Sequence, residues 1–117
     1  MRPKHRRLPN YIRAYRKRIG LSQRELGQAL GYAEEGSVGR HETFQAVPPL
    51  ATAIGYAIIF QAPVSEIFAG LWDEVAEHVQ GRLAKLETSL GQKNARDRNA
   101  NTIARKLTWL TERRGTE

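Results

Sequence analysis

Apolar residues recur at helical spacing in five short blocks between residues 10 and 70, and at heptad spacing in two longer blocks after that. Ile12, Tyr15 and Ile19 form the stripe of a helix over 11–19, with Asn10 after Pro9 as its N-cap. The next helix has a written start. Ser22 followed by Glu25 makes a capping box, so the helix begins at Gln23, buries Leu26, Ala29 and Leu30, and stops at Gly31. A third helix, roughly 35–43, commits one apolar residue, Val38, to a core and leaves Ser37, Arg40 and Thr43 to face outward. One anchor under a polar face suits a helix laid into a groove. The stretch TFQAVPP is a loop, because Pro48 and Pro49 cannot lie inside a helix and Pro49 suits a first helical position. Over 49–60, Leu50, Ala53, Ile54, Ala57, Ile58 and Phe60 make a broad apolar face, with Gly55 and Tyr56 between them. This helix is too apolar for a surface position, and Ile54 is expected mid-core. Pro63 opens a short fifth helix ending at Phe68, and Gly70 marks a domain boundary.

Past Gly70 the repeat changes. Trp72, Ala76, Val79, Leu83, Leu86 and Leu90 follow one another at spacings of 4, 3, 4, 3 and 4, the a/d seam of a helix over 71–90 that Gly91 stops. Asn94 can cap a last helix carrying Ala100, Ile103, Leu107 and Leu110. Neither stripe can stay in water. Either the two helices fold on each other as a hairpin, or they pair with a second subunit.

Charge adds a direction. The formal net charge is +7, and residues 1–24 hold nine Lys or Arg and no acid, against ten basic and twelve acidic residues in the rest. Residues 1–8 lack periodicity and read as a flexible basic arm, able to follow phosphates or enter a minor groove, or simply a solvated tail. The unpaired amides at the start of the second helix, beside Ser22, Gln23 and Arg24, can hold a phosphate. No cysteine occurs, which leaves no disulfide framework and makes the cytoplasm the default compartment. No apolar run reaches the length of a membrane span or resembles a signal peptide. His5, His41 and His78 are far apart, and there is no Gly-rich phosphate loop or nucleophile elbow. Catalysis, a metal and a cofactor are not expected.

Residues 9–69 resemble the phage-repressor-like (XRE-type, lambda-repressor-like) helix-turn-helix family. The resemblance rests on Leu21-Ser22-Gln23, Leu30-Gly31, Val38-x-Arg40-x-Glu42, Pro48-Pro49-Leu50 and Val64-Ser65-Glu66-Ile67-Phe68. It implies an all-α, five-helix DNA-binding domain at 9–69, followed by a helical extension over 70–117. It further implies a sequence-specific transcriptional regulator, a repressor, bound to a symmetric double-stranded DNA site as a homodimer, with 71–90 as the dimer contact. The implied DNA-binding residues are Arg13, Arg16 and Lys17 of the first helix on the sugar-phosphate backbone, Ser22, Gln23 and Arg24 at the second, and Glu35, Ser37, Arg40 and Thr43 at the third. Glu34 and Glu35 stand near base-reading positions, where a carboxylate can accept from cytosine N4 but repels phosphate. The sequence departs from the family pattern at Gly36 and Gly39, where small hydroxyl residues are common, and at His41, in an aromatic's place; its turn is also one residue longer. The rival reading is an antitoxin-like or mobile-element adaptor whose 71–114 region binds another protein, with DNA secondary.

Overall fold

The computed structural model describes residues 6–92 and 99–115, which among themselves form seven helices and no strand. These are α1 (Ile12–Ile19), α2 (Gln23–Leu30), α3 (Ser37–Glu42), α4 (Leu50–Phe60), α5 (Val64–Ile67), α6 (Ala69–Gln92) and α7 (Ala100–Gly115). The first five residues of the basic arm, and Asn94 with its expected cap, lie outside the described residues. The chain divides into two compact units, the first through Glu74 and the second from Val75. No helix among the described residues is long and apolar enough to cross a membrane.

In the first unit, local chemistry sets each helix and one core joins them. The capping box at α2 is complete: the Glu25 amide donates to Ser22 Oγ at 3.0 Å and the Ser22 amide to Glu25 Oε1 at 2.9 Å. Gly20 and Gly31 end α1 and α2 at φ of 83° and 91°, a region a glycine enters without strain. Asn10 works one residue ahead of α1, accepting from the Ile12 amide at 3.1 Å while its own amide donates to the His41 carbonyl at 2.9 Å. Ile12, Leu26, Val38, Tyr56, Phe60, Ile67 and Phe68 make the core. Ile19 and Ala29, expected in the apolar stripes, are exposed. On α2 it is Gly27 that turns inward, leaving room for Val38, whose Cγ2 lies 3.8 Å from where a Cβ would stand.

The largest departure from the sequence pattern is on α4. Its buried centre is Tyr56, fully covered, stacked with Phe60 at 5.8 Å and hydrogen-bonded through its hydroxyl to His41 Nδ1 at 2.8 Å. Leu50, Ile54 and Ile58 are 74%, 47% and 71% exposed. Since α4 is apolar almost all round, hydropathy alone does not choose its inner face. Aromatic packing and the His41 bond choose it. Pro49 likewise precedes the helix, with extended backbone, rather than opening it.

Gly70, expected as the domain boundary, lies in the first turn of α6, which begins one residue after α5 ends, and the two units divide after Glu74. Part of the expected flexible arm is also held. The Gly70 amide donates to the Leu8 carbonyl at 2.8 Å, the Leu71 amide to the Pro9 carbonyl at 3.2 Å, and Arg7 bonds both carboxylate oxygens of Asp73 at 2.8 and 2.6 Å. A Cβ on residue 70 would stand 2.3 Å from the Leu8 carbonyl oxygen, so only glycine admits this approach.

The second unit settles part of the heptad seam as a hairpin. Leu83 and Leu90 of α6 pack with Ile103, Leu107 and Leu110 of α7, and Arg113 donates to Gln80 at 3.1 Å. Trp72, Val79 and Leu86, from the same expected seam, stay exposed, together with Val75.

Leu26→Ala should therefore cost about 2–5 kcal/mol as a core truncation, and Ile54→Ala clearly less. Urea unfolding of both variants checks this, and an equal loss at the two positions would contradict the orientation of α4.

Candidate nucleic-acid interface

The elements α1, α2 and the turn before α3 enclose an open cleft of about 680 Å³. Eight of the ten residues singled out from the sequence line it: Arg13, Arg16, Lys17, Ser22, Gln23, Arg24, Glu35 and Ser37. Arg40 and Thr43 do not. Their helix α3 is shorter than the expected 35–43, starting only after Gly36, whose φ of 102° sets the turn. The lining also includes Gly27, Gln28, Tyr32 and Ala33, none of them singled out from the sequence, and of these Gln28 and Tyr32 bring polar side chains. Gln28 had a signal, since it lies one turn after Arg24 on the same side of α2; Tyr32 had none.

Not all eight are free to meet a ligand. Arg16 is turned inward, its Nε 2.5 Å from Glu42 Oε2, with side-chain exposures of 12% and 2% for the pair. It also donates to the Leu21 carbonyl at 2.9 Å. Gln23 Nε2 donates to the other Glu42 oxygen at 3.0 Å. The expectation that Arg16 meets only phosphate is thus corrected, and Gln23 is not the unengaged donor expected in the first turn of α2. Both are drawn in because Glu42, the one acid on α3, is buried there and needs donors. Donating hydrogen bonds to the Glu42 carboxylate holds the Arg16 guanidinium above its already high range, so it stays charged at any working pH.

Arg13, Lys17 and Arg24 keep exposed side chains at the cleft. Ser22 Oγ accepts in the capping box, which still leaves its proton for an anion. Arg24 lies 3.7 Å from Glu35, both largely in water, a pairing too weak to hold either against a stronger partner. On the outer side of α3, Arg40 bends back toward its start, with Nη2 3.4 Å from Ser37 Oγ. Thr43 returns its hydroxyl to the Gly39 carbonyl at 2.8 Å. Phe44 follows at φ of 68°, a left-handed conformation rare for a bulky side chain, and is half exposed. It is a further outward residue of this region that helical periodicity could not have marked.

Three exposed cations, Arg13, Lys17 and Arg24, thus line one cleft and give it a positive field suited to an anion. No family model, curated protein or solved structure matches the chain.

Glu42→Ala should cost about 3–5 kcal/mol, because Arg16 is then left buried without a counter-charge. Replacing Arg16 and Glu42 together by apolar residues should restore much of that loss; a double-mutant cycle by denaturant unfolding measures it, and strictly additive losses would mean that the pair is not coupled.

A second expectation concerns acid. Burial, reinforced by Arg40, lowers the His41 pKa below its ordinary 6.5, so the unfolded chain binds this proton more readily than the folded one. Stability should fall as pH drops through the window just below 6.5. Urea midpoints at neutral and mildly acidic pH test this, and His41→Gln should flatten the slope over that window.

Proposed function

We propose that this chain is a sequence-specific DNA-binding transcriptional regulator of the phage-repressor-like helix-turn-helix type. In this reading α2 and α3 are the helix-turn-helix, and the protein is a repressor that meets a symmetric site as a homodimer. The observation that carries the proposal is the gathering of Arg13, Lys17 and Arg24 on one cleft beside the capped start of α2, with α3 clasped alongside and its outer face polar. The backbone of DNA is a line of phosphates, and exposed cations beside unpaired helix amides are the usual means of holding it in register.

The roles then divide. Arg13, Lys17, Ser22 and Arg24 hold phosphate, while Ser37, Arg40, Thr43 and Glu35 face the base edges. Arg16 and Gln23 act by holding α3 in place. The two copies are joined through the exposed side of α6. That same exposed apolar side, Val75, Val79 and Leu86, with Trp109 exposed on α7, also favours a second reading as an adaptor whose hairpin binds another protein.

Binding-site selection from random DNA gives the site, and salt-titrated binding to matched and single-mismatch duplexes tests the division of roles. Arg40→Ala should cost about 1–3 kcal/mol on the selected site and flatten the preference at one base pair. Lys17→Ala should weaken all sequences alike and lower the salt slope by about one unit. Uniform loss in Arg40→Ala, with base preference intact, would remove it as a reader, and selection that enriches no sequence would remove the regulator reading itself.

A further inference from the structure

The side of α4 that the core leaves uncovered is built to fit a copy of itself. Leu50, Ile54 and Ile58 stand four residues apart, which lines them up as one ridge along the helix. Beside the ridge runs a groove of about 300 Å³ whose lining includes Ala29, Leu30, Ala51 and Gly55. At the groove Gly55 lets Leu30 pack close against α4, since a Cβ there would come within 2.8 Å of Leu30 Cδ2. Ridge and groove thus lie side by side on one helix. Two helices whose four-residue ridges interdigitate cross at about −50°, the commonest packing of helices in globular proteins. About a two-fold axis, the ridge of each copy then enters the groove of the other.

Charge selects the occupant. From Thr43 to Ser65 the chain carries no charged residue, although it holds 19 basic and 12 acidic residues elsewhere. Two molecules of net charge +7 repel wherever their basic faces meet, and at α4 neither presents a charge to the other. The same neutrality gives a nucleic acid or a charged protein nothing to hold. Moreover, the groove shares no lining residue with the cleft of α1 and α2, so the two surfaces can be occupied together.

We propose that α4 is a two-fold self-association surface, through which the first unit pairs with the first unit of a second copy. This goes beyond the function proposed above, where pairing was given to α6, and it does not depend on DNA binding. The exposed ridge with Val47 offers on the order of 400 Å² of apolar surface, about half of one side of a standard interface. The contact is accordingly weak in free solution and becomes effective when two copies are held on one scaffold.

Sedimentation velocity of the full chain, over micromolar to submillimolar concentrations, tests the proposal against Ile54→Glu and Ile58→Glu. Both positions are exposed enough to accept a charge, and circular dichroism melts verify the fold. The expected result is a concentration-dependent dimer that either glutamate weakens by about tenfold or more, the cost of facing like charges across an apolar contact. Because the chain has no cysteine, Ile54→Cys supplies a second measurement that does not rely on a charged variant folding. Mild oxidation should give a covalent dimer much faster than for Ala14→Cys, exposed on α1. A chain that stays monomeric throughout, a dimer indifferent to both glutamates, or equal cross-linking at positions 54 and 14 would overturn it. Loss or retention of DNA binding bears on the earlier proposal and leaves this one untouched.

Discussion

The first unit depends on one buried ion pair. Glu42 ends α3, where the helix dipole disfavours a carboxylate, and it is almost fully enclosed. Only a dedicated counter-charge makes that position tolerable. Arg16 comes from α1 and Gln23 from α2, so a single carboxylate draws three helices to one point. The Arg16 contact to the Leu21 carbonyl adds the α1–α2 connection to the same knot. A buried pair of this kind contributes little net stability over an apolar replacement, because both groups lose their hydration. What it contributes is placement: with Glu42 tied to Arg16, α3 has one register against α1 and α2. An apolar contact alone would allow neighbouring ones.

A second fixed point stands opposite the first. His41, adjacent to Glu42, gives its ring to the Tyr56 hydroxyl and its carbonyl to Asn10. These bonds connect α3 to α4 and to the entry of α1. The imidazole also takes the aromatic's place expected from the sequence, its centroid 5.8 Å from the Tyr56 ring edge-on and 6.1 Å from that of Tyr32. A six-residue helix has no stability of its own in water. Here it is pinned by Val38 in the core and by the bonds of His41 and Glu42, so tertiary contacts supply what its length and Gly39 withhold.

What the sequence made legible was whatever local chemistry decides. The capping box at Ser22 and Glu25, the stop at Gly31 and the all-helical class follow from residues a few positions apart, and the structure has them. The α4 face was not legible, since a helix of almost uniform hydropathy reports no direction, and Tyr56 looked like an interruption of the stripe it in fact centres. Arg16 carried an ambiguity that charge alone cannot resolve. Among Arg13, Lys17 and Arg18 it looks like one more surface cation, and only the partner 26 residues later distinguishes it. Eight of the ten candidate residues line one cleft because α1 and α2 are consecutive in the chain, whereas the short α3 lies beyond a turn whose geometry a glycine at φ of 102° sets.

The two sides of α3 follow opposite rules. Every inward residue is strongly held: Val38 by apolar packing, His41 by a hydrogen bond and ring contacts, Glu42 by three donor groups. Outward, the contacts are slight. Arg40 reaches Ser37 at a long 3.4 Å, and Thr43 bonds only its own helix. A side chain bound firmly to its own protein would have to surrender that bond before contacting a ligand, and the exchange would yield little. Weakly engaged polar groups on a firmly engaged backbone lose little on rearrangement while their positions stay fixed, which is the condition for discriminating between closely related surfaces. That condition on α3 is created by the inward pair of Glu42 and Arg16, whose charges are spent on each other.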